Sequence, residues 1–228
     1  MIYLASEQRF RVYALDFWGF GESPKEKTPP FKLSSYVSMV DQFLEIMGIQ
    51  RAPIIGHSMG GTVSLQLTLE HPEQVSKVAI VGSPITGTSL HPFLQLAGNE
   101  WIANTLFKMP RMLNWVVRLV LAHDSQKVQD MIFRDVTKTS SESFFRSVGD
   151  LKRTDLRSSV SQIRVPTLGI FGEHDNIVNP NQSRELQRGV PRARIQMMKH
   201  SRHFPMLDEP MLFRQTLLDF LRNSQEWD

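Results

Sequence analysis

Ala52-Pro53-Ile54-Ile55-Gly56-His57-Ser58-Met59-Gly60-Gly61 decides how the rest of this chain is read. Ala52 to Gly56 is a short apolar run, which suits a buried strand. Gly56 to Gly60 then reads Gly-x-Ser-x-Gly, so the serine stands on a sharp turn directly after that strand. A strand-to-helix turn of this kind strains the serine backbone and pushes the hydroxyl outward. The crowding falls on the residues two before and two after the serine, and here both, Gly56 and Gly60, are glycine. Such a turn needs a helix behind it, which settles an ambiguous stretch. Val63, Leu65, Leu67 and Leu69 alternate strictly, the pattern of a strand. We nonetheless read Thr62 to Glu70 as a helix.

Outward from this turn, strand and helix signals take turns. Arg9 to Leu15 alternates and reads as a strand, followed by the loop Asp16-Phe17-Trp18-Gly19-Phe20-Gly21-Glu22-Ser23-Pro24. Tyr36, Val37, Val40, Phe43, Leu44 and Met47 recur at helical spacing, with Ser34 or Ser35 as cap and Gly48 as stop. Lys77 to Val81, Thr167 to Phe171 and Ala193 to Met198 read as further strands. Asn181 to Gln187 and the segment from Glu209-Pro210 onward read as helices. Alternation of this sort predicts an α/β fold, a mostly parallel sheet covered by helices. From about 85 to 163 the strand signals vanish. Four helical stretches replace them: Trp101–Met109, Met112–Ala122, Val128–Val136 and Ser143–Leu151. We expect a core of 1–84 and 164–228 with a helical lid of 85–163 inserted over one end of the sheet. The aromatic and Met-rich faces of that region suit either a pocket lining or lid packing.

Composition narrows the chemistry. With 228 residues, 41% apolar and 21% charged, the chain has material for one ordinary globular domain. It has no cysteine, which excludes a disulfide scaffold, a thiol nucleophile, thiolate zinc sites and iron–sulfur clusters. The net charge of +3 is no argument for nucleic acid. Six basic residues between Arg184 and Arg202 read as a solvated face rather than a nucleic-acid patch. The most apolar segment, Leu113 to Ala122, is short and broken by Arg118, so no membrane span is expected. The first ten residues lack the pattern of a secretory signal, and a cytoplasmic location is the expectation. No cofactor is implied, and the oligomeric state is open.

A serine is a weak nucleophile without a base, and the base needs a carboxylate to hold its tautomer. Of seven histidines, His200 and His203 follow the last strand, where a loop crosses the carboxyl end of the sheet. His57 lies inside the turn and is expected to point elsewhere; His71, His91 and His123 read as structural or exposed. His203 opens His-Phe-Pro-Met-Leu-Asp-Glu-Pro and is favoured over His200 on that context. Asp175, in Gly172-Glu173-His174-Asp175-Asn176, follows another strand and is favoured over Glu173; the alternative for it is an Asx turn or a helix cap before Pro180. A metal site built from Glu173, His174, Asp175, His200 and His203 lacks any helical His-Glu-x-x-His support. The order Ser58, Asp175, His203 is neither that of chymotrypsin nor that of subtilisin.

The segments ALDFWGFGESP, IIGHSMGG, PTLGIFGEHDNIVNP and HFPMLDEP resemble the α/β-hydrolases, in the lidded branch of small esterases, carbon–carbon bond hydrolases and cofactor-free haloperoxidases. The resemblance runs from about residue 9 to the end. It implies Ser58 as nucleophile, His203 as base, Asp175 as its acid partner and the Met59 backbone N–H as one oxyanion donor. It implies a small-molecule acyl substrate, an ester, thioester or relative. A serine at 58 argues against epoxide hydrolases and haloalkane dehalogenases, which are similar but use aspartate there. Arg202 stands where the family usually has glycine.

A larger departure lies at the front. Three strands precede the one at Arg9–Leu15 in the family, and the third carries a His-Gly motif whose loop supplies the first oxyanion donor. This chain has no His-Gly dipeptide. The absent third strand would lie between Arg9–Leu15 and Ala52–Gly56, inside the sheet. The expectation is an N-terminally truncated form of the fold, short by roughly 40–60 residues. Losing one oxyanion donor costs about 10²–10³ in rate, so the competing reading is an inactive hydrolase-like fragment.

Overall fold

Four of the five runs read as strands pair with one another. A computed structural model describes residues 2–7, 10–25, 30–97 and 126–222. In it β1 (Ala52–His57), β2 (Val75–Val81), β3 (Thr167–Gly172) and β4 (Ala193–Met198) form one sheet in the order β1-β2-β3-β4. Every pairing is parallel, with Ile55 opposite Ala79, Ile80 opposite Gly169 and Ile170 opposite Gln196. Parallel neighbours need crossover connections, and helices provide them. The described helices are α1 (Ile2–Ser6), α2 (Leu33–Ile46), α3 (Met59–Glu70), α4 (Pro92–Ala97), α5 (Gln126–Thr137), α6 (Ser141–Arg153), α7 (Gln182–Gly189), α8 (Pro205–Asp208) and α9 (Pro210–Arg222).

Side chains alternate across the sheet into two cores. Val78 and Ile80 of β2 join Tyr36, Leu44, Leu65 and Leu186 from α2, α3 and α7. Their neighbours Ala79 and Val81 face the other way, with Leu168, Ile170 and Met198, onto Leu4, Leu217 and Phe220 of α1 and α9. Lys77 ties the second layer to the sheet, donating from Nζ to the Phe220 and Leu221 carbonyls near the end of α9. The result is helix, sheet, helix, as expected.

α3 is a helix despite its strict alternation. The apolar Val63, Leu65 and Leu67 are buried, and so are Thr62, Ser64 and Thr68 next to them. Those short polar side chains find partners nearby. Ser64 Oγ donates to the Gly60 carbonyl at 2.8 Å, Thr68 Oγ1 to the Ser64 carbonyl at 2.7 Å, and Thr62 Oγ1 to the Pro84 carbonyl at 2.7 Å. A helix whose short polar side chains find partners nearby can bury most of its surface.

Two expectations are corrected. The segment expected as a strand at Arg9–Leu15 forms no ladder over its described residues, 10–15. Phe10 and Val12 still pack against the second core, and Tyr13 meets Phe43 edge-on at 5.4 Å. The outer edge of β1 is unpaired among the described residues. A strand signal reports packing, and a ladder also needs a neighbouring edge within reach. The second correction concerns the start of α2. Neither Ser34 nor Ser35 caps it; the cap position is Lys32, and the Leu33 N–H donates to Asp150 Oδ2 of α6 at 2.8 Å.

The stretch from 85 to 163 contains no sheet strand among its described residues. Its two ends lie side by side. Thr86 and Asp155 form an antiparallel bridge, Leu156 N–H donates to the Ile85 carbonyl, and Gly87 N–H donates to the Thr154 carbonyl. Gln182 Oε1 accepts from the Ile85 and Thr86 N–H groups, pinning this neck to α7. α6 returns onto α2, where the buried Tyr36 and Ser147 hydroxyls lie 2.6 Å apart. Burial pushes the Tyr36 hydroxyl up to about 12. The helices expected at Trp101–Met109 and Met112–Ala122 fall outside the described residues.

Candidate active site

Because all four strands run parallel, their carboxyl ends share one side of the sheet. β1 ends at His57, β2 at Val81 and β3 at Gly172, and the candidate residues follow these ends or, for His203, the end of β4. Ser58 has φ 53° and ψ −125°, and it alone among described non-glycine residues has a positive φ. Its N–H donates to the Val81 carbonyl at 2.8 Å, anchoring the turn to the end of β2. The cost of that backbone state is of order 1–3 kcal/mol, so the surroundings must hold it in place.

Glycines make the turn possible, though only one of the two expected, Gly56, is required. A Cβ at Gly56 would lie 2.2 Å from the Gly60 carbonyl oxygen. A Cβ at Gly60 would meet nothing within 4 Å, so Gly60 is not required by crowding. The second crowded position is Gly61, where a Cβ would lie 1.9 Å from Ser83 Oγ. Ser83, two residues past the end of β2, presses on the third residue after the serine, not the second.

Asp175 and His203 are both buried, and His203 Nδ1 lies 2.8 Å from Asp175 Oδ2. The other carboxylate oxygen, Oδ1, accepts from the Ile177 and Val178 N–H groups at 2.8 and 2.9 Å. The Asx-turn reading and the acid-partner reading of Asp175 are thus two halves of one arrangement. The turn fixes the carboxylate and leaves one oxygen for the imidazole. Glu173 is exposed, and the backbone N–H of His200 donates to Glu209 Oε2 at 2.9 Å. His71 faces Asp41 and Glu73, and His91 Nδ1 accepts from the Phe93 N–H; His123 is outside the described residues. The Ser58 hydroxyl makes no hydrogen bond among the described residues; serine–base bonds often tighten only with substrate bound. The Met59 N–H, at the first position of α3, likewise donates to no group among them and stands at the positive end of a helix.

The loop that carries His203 is held by carboxylates. Ser201 Oγ donates to Glu209 Oε2 at 2.6 Å, and the Arg202 N–H donates to Asp208 Oδ2 at 2.8 Å. Arg202 does not adopt a positive φ, so the glycine usual at this place is not needed for backbone reasons. No group of three His, Asp or Glu side chains that could hold a metal ion occurs among the described residues.

Residues 1–146 match the family described as the alpha/beta hydrolase fold. The chain belongs to this family. It is 27% identical over 231 residues to 2-hydroxymuconate semialdehyde hydrolase of Pseudomonas putida, covering 96% of this chain and 79% of that one. It is 27% identical over 233 residues to the uncharacterized hydrolase YugF of Bacillus subtilis, covering 94% of this chain and 81% of that one. A solved esterase from Exiguobacterium antarcticum superposes with a TM-score of 0.79 at 21% identity, covering 91% of this chain and 80% of that chain. As an α/β-hydrolase with such relatives, the chain is of a hydrolase family. No helix among its described residues is long and apolar enough to cross a membrane.

Reading the sequence of this α/β-hydrolase missed three positions around the base. Gly82 follows β2 with φ +52°, and a Cβ there would lie 3.2 Å from Asp175 Oδ2 and 3.3 Å from His203 Nδ1. Gly172 ends β3, and a Cβ there would lie 2.0 Å from the Arg202 carbonyl oxygen. The signal available was a glycine directly after or at the end of a strand. The third is His57, whose Nε2 lies 2.8 Å from the His203 carbonyl oxygen.

Proposed function

We propose that the chain is a serine hydrolase that cleaves an ester, thioester or related acyl substrate through an acyl-enzyme. The observation that carries this is the buried Asp175–His203 pair, joined through the His203 carbonyl to His57, the neighbour of Ser58, the only non-glycine residue described with a positive φ. Ser58 Oγ attacks the acyl carbon as His203 Nε2 takes its proton. Asp175 holds Nδ1–H and stabilises the imidazolium that forms. The Met59 N–H faces the developing oxyanion. His203 then returns the proton to the leaving group, and water reverses the sequence to free the acid. On the same reading the insertion between β2 and β3 acts as a lid over this end of the sheet and favours substrates with an apolar acyl or alcohol group. A substrate panel in which only small charged esters react would contradict that preference.

Hydrolysis of an aryl ester tests the reaction. The wild-type chain turns over, Ser58→Ala falls to background, and Asp175→Asn loses about 10⁴ in kcat through the wrong imidazole tautomer. A Ser58→Ala variant as fast as wild type would sink the proposal. One observation favours the second reading, a hydrolase-like chain with an incomplete oxyanion hole. The unpaired edge of β1 is where the resemblance places the strand that leads to the first donor. On that reading the fold and the Asp175–His203 pair persist while turnover is absent.

A further inference from the structure

The serine-hydrolase reading uses Ser58, His203, Asp175 and Met59 and leaves His57 without a part. Its side chain does not turn away from the site. Its ring centroid lies 4.7 Å from that of His203 and 5.0 Å from that of Phe204. Its Nε2 is 2.8 Å from the main-chain carbonyl oxygen of His203. A carbonyl can only accept, so Nε2 carries a proton and donates it. Three neighbours then frame His203: Asp175 on Nδ1, Gly82, where an added Cβ would lie 3.3 Å from Nδ1, and His57 on the carbonyl. The first two come from the ends of β3 and β2. The third comes from the end of β1, one peptide bond from Ser58.

We infer that His57 is a positioning residue, which sets the separation of nucleophile and base by donating from Nε2 to the His203 carbonyl. The inference rests on the serine-hydrolase reading. His57 touches none of the reacting atoms and acts through the loop that carries the base. Without its bond, the His203 loop is held by Asp175, Asp208 and Glu209, with no other hydrogen bond to β1 among the described residues. A displacement near 1 Å between reacting groups can cost about 100-fold in rate.

The test compares His57→Leu, which removes the donor, with His57→Gln, whose amide N–H₂ has similar reach. The readouts are the rate at which a fluorophosphonate labels Ser58, kcat and KM on an aryl ester, and the thermal midpoint. His57→Leu is expected to slow labelling and kcat by about 10- to 100-fold with KM little changed, and His57→Gln to restore most of the loss. His57→Leu labelled at the wild-type rate overturns the inference, as does a Gln variant that folds but restores nothing. Should His57→Leu fail to fold, nitrogen-15 NMR of the wild-type imidazoles still decides. An Nε2–H tautomer at His57 supports the inference, and an Nδ1–H tautomer overturns it. A folded wild-type chain that takes no probe instead overturns the serine-hydrolase reading on which the inference rests.

Discussion

His57 also carries a pH consequence. Burial, together with the charge that His203 would bear, pushes its imidazolium down to about 3. Above the ordinary value near 6.5 the ring is neutral both folded and unfolded, and it leaves stability unchanged. As pH falls below 6.5 the unfolded chain takes up a proton that the folded chain refuses, so stability is lost down to about pH 3. One such proton is worth up to about 1.4 kcal/mol per pH unit. Urea unfolding at pH 7 and pH 5 is expected to show a smaller loss for His57→Gln than for wild type; equal losses would contradict the assignment. The glycines of the turn give a second test. Gly56→Ala and Gly61→Ala each force backbone or Ser83 to move, whereas Gly60→Ala fills open space at a helix start. Thermal melting should therefore show a large drop for the first two and no drop for the third. At this scale the strained turn at Ser58 and the choice of Asp175 and His203 as a pair were legible, because residue type and motif decide them. It was not legible where a neighbour's approach decides it. The importance of Gly61 depends on Ser83, and that of Gly82 on the Asp175–His203 bond, contacts that no local pattern announces.

Elements were legible where burial is one-sided or complete. β4 spans Ala193–Met198 as expected, and β1 and β3 each extend their expected runs by one residue. α3 was legible only through the turn that precedes it, since its own alternation argued for a strand. The cap of α2 was hidden for a different reason: its acceptor, Asp150, lies 117 residues away on α6. That bond makes α6 part of what holds α2 in place. Asp150→Ala is expected to cost about 0.5–2 kcal/mol in denaturant unfolding, with Asp150→Asn retaining most of the stability because it keeps an acceptor. An Asp150→Ala variant as stable as wild type would show that the Leu33 N–H finds water equally well. The reading of Arg9–Leu15 failed because periodicity reports which side chains are buried, while a ladder needs a second backbone alongside.

At the scale of the whole molecule the described sheet has two edges, β1 and β4, and β1 is the one with a large apolar side chain exposed. β1 pairs with β2 on one side and with nothing described on the other, and Ile55 on it is 40% exposed. Unpaired edges with apolar side chains template further pairing. Light scattering should therefore show association that grows with concentration, and Ile55→Lys should reduce it; a wild-type chain monomeric at every concentration would contradict this. The layered α/β order was legible from the alternation of runs, and the place of the site at the carboxyl ends follows from the parallel sheet. The neck of the insertion was legible only as a change of pattern near 85 and 163, since the Thr86–Asp155 bridge joins residues 69 apart in sequence. The central claim is that Ser58 forms a covalent acyl intermediate with His203 as its base. Acid quenching of the chain with an aryl ester, followed by peptide mass spectrometry, tests it most directly. The account predicts an acyl adduct on the Ser58 peptide, absent in Ser58→Ala and greatly reduced in His203→Ala. A folded wild-type chain that hydrolyses the ester without any adduct on that peptide would contradict it.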